Sequence, residues 1–133
     1  MKRLALLFFA LLFAAGCGSG HVQLGGTVTF DDGTPLTTGA VIFATETFMA
    51  SGRIDSQGKF LMGSLNVRDG LPSGTYKVYI AGATEENPRA DGGMWSLIAP
   101  AYGCFTSTPL TCDVPAPRNT FDIVVPRNPT PRP

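Results

Sequence analysis

The chain has 133 residues, with ten basic and ten acidic side chains, 16 glycines, 11 prolines and a single histidine, His21. This length holds one domain and hardly two. The balanced charge lacks the basic stripe that nucleic acid demands, and the glycine and proline content opposes a helical fold.

Lys2 and Arg3 precede an apolar run over residues 4–13, followed by Ala14, Ala15, Gly16 and Cys17. A basic start, a short apolar stretch and small residues mark a cleavable signal peptide, expected over residues 1–16. The run falls far short of the ~20 residues that a membrane-spanning helix needs. Ala14-Ala-Gly-Cys17 resembles the lipobox of bacterial lipoproteins. That resemblance implies that Cys17 becomes the new N-terminus and carries diacylglycerol. Acyl chains bury methylenes at about 0.8 kcal/mol each, so several chains anchor firmly where one does not. The expected partner of Cys17 is therefore a membrane, and the expected location is the cell envelope, on the periplasmic side or at the outer membrane. Loss of Lys2 and Arg3 leaves the ten acidic groups two in excess. Residues 17–23 are read as the lipidated cysteine and a short tether, flexible at Gly18-Ser-Gly20.

Beyond the tether, short β-type runs alternate with turns. Residues 26–30 form a first expected strand. The cluster Asp31-Asp-Gly-Thr-Pro35 then turns the chain, because Asp bonds its own backbone, Gly takes positive φ and Pro fixes φ. Residues 40–44, 52–55 and 59–62 follow as strands, the last two joined by a turn in which Gly58 supplies positive φ. Residues 75–80 alternate most cleanly, with Tyr76, Val78 and Ile80 on the face expected to be inward. In Leu71-Pro-Ser-Gly-Thr-Tyr76, the tyrosine can seat its ring in the core and its hydroxyl on a backbone acceptor. Residues 82–108 look irregular, residues 110–114 and 120–125 supply the closing strands, and residues 126–133 are read as a disordered proline-rich tail. No window after residue 17 carries a helical period. The pattern predicts an all-β, antiparallel sandwich of about seven strands over residues 24–125.

Groups suited to chemistry are sparse. His21 lies in the tether, so a nucleophilic cysteine or serine has no base. The adjacent carboxylates Asp31-Asp32 and Glu85-Glu86 point apart in strands and are solvated in turns, which opposes paired acid–base work. Asp31, Asp32 and Asp55 could lend oxygens to calcium, but backbone-bonded turn aspartates explain them more simply. No cofactor or metal is expected, and the chain is read as a non-enzyme. Cys104 and Cys112 are expected to pair as a disulfide in an oxidising compartment, with two free thiols as the alternative. Within the irregular stretch, Trp95 either folds back as a lid on the core or grips a sugar or partner protein. In the second case Met94, Trp95 and Tyr102 are the contact residues.

The segments Gly26-Thr-Val-Thr-Phe-Asp-Asp-Gly-Thr-Pro-Leu, Gly39-Ala-Val-Ile-Phe, Gly52-Arg-Ile-Asp-Ser-Gln-Gly-Lys-Phe and Leu71-Pro-Ser-Gly-Thr-Tyr-Lys-Val resemble the carboxypeptidase regulatory-like domain. More narrowly, they are similar to small lipoproteins of that type from planctomycetes. The resemblance spans residues 24–125. It implies a transthyretin-like or Ig-like sandwich with a non-catalytic, structural or interaction role in the envelope. The alternative is a carbohydrate- or protein-binding module that uses the 82–108 loop. The resemblance brings no catalytic residues, and Cys104 and Cys112 stand outside its general pattern.

Overall fold

The computed structural model describes residues 21–63, 71–87, 93–115 and 119–130. The expected signal peptide and Cys17 lie outside these residues. Eleven strands follow in chain order: β1 His21–Val22, β2 Gly25–Phe30, β3 Ala40–Ala44, β4 Met49–Arg53, β5 Lys59–Leu61, β6 Leu71–Pro72, β7 Gly74–Ala81, β8 Thr84–Glu86, β9 Met94–Ser96, β10 Leu110–Val114 and β11 Ile123–Val125. A 3-10 turn, Pro100–Gly103, is the one helical element among the described residues.

Two sheets make the sandwich. One has the order β10-β7-β3-β4 and the other β11-β2-β5. The first sheet is antiparallel throughout, with Val41 opposite Ile80 and Phe43 opposite Val78. Alternation along β7 turns Tyr76, Val78 and Ile80 inward, as their spacing predicts. They meet Val28, Phe30, Phe60, Ile123 and Val125 from the second sheet, all buried. Phe43 joins the two layers, its ring centroid 5.9 Å from those of both Tyr76 and Phe121. An isolated bridge between Ser51 and Gly63 ties β4 to the chain leaving β5. The molecule is an all-β sandwich.

Several details differ from the sequence expectation, beginning with His21 and Val22, which fall in the expected tether but instead form β1 against β6. β11 pairs with β2 in parallel, Val125 beside Phe30, so the sandwich is not wholly antiparallel. The amide of Phe121 donates to the Gly25 carbonyl and that of Gly25 to the Asn119 carbonyl, which brings the chain in alongside β2 in the same direction. The third expected strand sits earlier, at Met49–Arg53, because the Gly52 flank pairs with Val41. Residues 126–130 are packed against the fold, and only 131–133 of the expected disordered tail fall outside the described residues. The Ala99 amide donates to Pro126 O at 3.0 Å and the Asn128 amide to Leu97 O at 3.1 Å.

Strand directions define two ends. The chain enters at β1, which pairs with β6, and β2 starts beside the exit of β5. The hairpin joining β3 to β4 and the start of β7 lie at this same end. The opposite end holds the turn after β2, the turn between residues 53 and 59, the close of β7, and the 126–130 segment that continues β11. The length of β2 separates the ends by about 20 Å.

Candidate functional site

At the far end, an aromatic and several polar side chains line a common hollow. Gly82, at φ +69°, releases the chain from β7. β8 and β9 then pair antiparallel as a hairpin, with Glu85 opposite Trp95 and Glu86 opposite Met94. The Asn87 amide donates to Gly93 O at 3.0 Å, and the Leu97 amide to Ala83 O at 2.8 Å. The 126–130 segment runs alongside as a strap. Its Asn128 side chain donates from Nδ2 to Ser96 O at 2.9 Å, and its Oδ1 accepts from the Thr130 amide at 3.0 Å. Arg127 reaches the other way, its Nη2 3.0 Å from Asp32 Oδ2 and its guanidinium 3.9 Å from the centre of the Phe30 ring. The Thr34 backbone amide, then the Thr34 hydroxyl and Arg127, hold the Asp32 carboxyl well below its usual range, at about 2.

Between hairpin and strap lies a groove of about 300 Å³ lined by Glu85, Trp95, Leu97, Arg127, Asn128 and Thr130. A hollow of about 490 Å³ beside Thr37, Thr38 and Arg53 is larger but has no aromatic wall. Another, of about 360 Å³, lies over Lys77 and Phe105. There Lys77 is already spent, with Nζ 4.9 Å from the Phe105 ring centre.

The residues singled out from the sequence scatter. Trp95 is half-buried and lines the groove, and it does not fold back as a lid on the core. Met94 is 62% exposed and, as the neighbouring strand residue, points to the other face of the hairpin. Tyr102 belongs to the 3-10 turn and packs against the main core. The three therefore do not form one contact surface. The groove's remaining walls escaped sequence reading because they come from the 126–130 segment, whose prolines read as a tail.

The expected Cys104–Cys112 disulfide is absent; both are free thiols. Cys112 lies on the inward face of β10 with Val114, opposite Tyr76, and is only 5% exposed. Burial, aided by the Asp113 charge, pushes its thiol up to about 11. Cys104 is exposed just after the 3-10 turn, its Sγ 3.3 Å from Thr106 Oγ1, and that contact lowers its pKa. One thiol faces the core and the other faces solvent, so their sulfurs are not presented to each other.

The carboxylates hold the frame. Asp55 Oδ1 accepts from the amides of Lys59 and Gln57 at 2.9 and 2.8 Å, which lowers its pKa, and Asp32 Oδ1 accepts from the Thr34 amide at 2.9 Å. Asp122 ties down Thr27, and Asp113 accepts from the Thr75 hydroxyl at 2.7 Å. Among the described residues, no three His, Cys, Asp or Glu side chains are grouped to hold a metal ion. No helix of the described residues is long and apolar enough to cross a membrane.

The fold defines the class as an all-β sandwich. No family model matches the chain, and no curated protein matches it. Among solved structures the chain is similar to BcpA, the major pilin subunit of Bacillus cereus, with 14% identity and a TM-score of 0.47. The similarity covers 81% of this chain and 30% of the pilin chain, so this chain spans less than a third of that protein.

Proposed function

We propose that this protein is a non-catalytic envelope lipoprotein, in which lipid on Cys17 holds a carboxypeptidase regulatory-like sandwich against a membrane and leaves its far end free for contact. The observation that carries this reading is the position of β1. The strand begins at His21, four positions after Cys17, and enters at the end opposite the Trp95 groove. Four residues reach at most about 14 Å. A lipid on Cys17 therefore holds the entry end close to the bilayer, with the groove about 20 Å further out. The family assignment draws support from the strand order of its quoted segments and from Tyr76. The Tyr76 hydroxyl donates to Pro72 O at 2.7 Å, the tyrosine corner typical of Ig-like sandwiches. The non-enzymatic reading draws support from the engagement of Asp32, Asp55, Asp113 and Asp122 in frame contacts.

The intact mass of protein extracted from membranes tests the anchoring. The expected species starts at Cys17 and carries a diacylglyceryl group. A species that starts elsewhere, or whose Cys17 is unmodified, contradicts the reading.

A further inference from the structure

We infer that the groove between β9 and the 126–130 strap is a saccharide-binding site that takes a pyranose ring. This goes beyond anchoring and does not depend on it. The chemistry of the lining carries the inference. A pyranose ring presents a flat C–H face and a rim of hydroxyls that both donate and accept hydrogen bonds. Trp95 offers a wide aromatic surface, half-buried and therefore held in place. Around it stand a carboxylate, an amide and a hydroxyl, from Glu85, Asn128 and Thr130. The Thr130 hydroxyl can both accept from and donate to sugar O–H groups.

Charge narrows the class. Arg127, the cation among the lining residues, is already paired with Asp32, which disfavours phosphate and other anions. Size narrows it further. About 300 Å³ is the lower limit for small-ligand pockets. A stable protein interface buries about 800 Å² per partner around a cluster of anchors. Here Met94 points to the opposite face and Leu97 packs partly against the core, so beside Trp95 only the exposed part of Leu97 offers an apolar contact. Both walls are also built before any ligand arrives. The Asn128 amide on Leu97 O and the Asn128 side chain on Ser96 O fix the strap to the hairpin, so little ordering is left to oppose binding.

Trp95 is the only tryptophan of the chain, so its emission reads the groove directly. The full chain in a detergent without a sugar headgroup is titrated with cellohexaose and with chitohexaose. The expected result is a saturable shift in emission with at least one of them, with a Kd on the order of 0.1–1 mM, as suits a shallow site. By calorimetry, Trp95→Leu keeps apolar bulk but loses the flat ring and is expected to weaken binding at least tenfold. Thr130→Ala, at an exposed position, is expected to weaken it about threefold with an unchanged melting temperature, which keeps the test decisive if the Trp95 variant folds poorly. Emission that both oligosaccharides leave unmoved overturns the proposal. So does equal binding by wild type and both variants, or a shift produced by an envelope protein and by neither sugar.

Discussion

Tyr76 shows how one side chain serves both the core and the backbone. Its ring packs against Phe43 and Phe48, while its hydroxyl satisfies the Pro72 carbonyl at the corner leading into β7. Tyr76→Phe keeps the ring and loses the bond. The expected loss is about 1 kcal/mol, a fall of roughly 4 °C in the thermal midpoint. Asp32 makes a second prediction. Its folded pKa of about 2 lies below the ordinary 3.8, so its contribution to stability is complete above that value and is lost as pH falls from about 4 towards 2. Asp32→Asn can still accept from the Thr34 amide but does not titrate, so its acid unfolding curve should be flatter over that window. The thiols make a third. Iodoacetamide should modify Cys104 in the native protein and reach Cys112 only after unfolding, as read by peptide mass. Tyr76 was legible because its role is local, set by Pro72, Gly74 and the alternation of β7. The cysteines were not, because pairing depends on where two side chains point, and spacing along the chain does not encode that.

At the scale of elements, the runs at β2, β3, β5, β7 and β10 stood out because each alternates or is β-rich between strong turns. The hairpin β8–β9 did not. Thr84-Glu-Glu86 offers no apolar face, and its partner strand is three residues long. Nor did the parallel placement of β11, since the direction of approach is set by contacts of residues 119–121 with Gly25. Gly26 shows what such a contact demands. It reads as an ordinary strand position, yet a Cβ there would overlap the Phe121 carbonyl, which the neighbouring Phe121–Gly25 bond holds in place. Gly26→Ala should therefore destabilise the fold by about 1–3 kcal/mol, measured by chemical denaturation. The strap was missed for a related reason. Proline-rich sequence favours an extended chain, and an extended chain can lie along a sheet edge as readily as it can hang in solvent. What secures it is a pair of charges 95 positions apart, Asp32 and Arg127, together with the two bonds from Asn128.

At the scale of the whole molecule, the sandwich is polar in arrangement if not in composition. The entry end holds β1, β6 and the start of β2, and the far end holds the hairpin, the strap and the groove between them. The sandwich was readable in outline from alternation and turns. This polarity was not, because it needs the strand directions and the seating of residues 126–130. Under the proposed anchoring, it would constrain orientation, since only three residues separate Cys17 from β1. Fractionation of cells that express wild type and Cys17→Ser tests this most directly. Anchoring through Cys17 predicts wild type in the membrane pellet and the variant in the soluble fraction with an unchanged melting temperature. Retention of the folded variant in the pellet would contradict it.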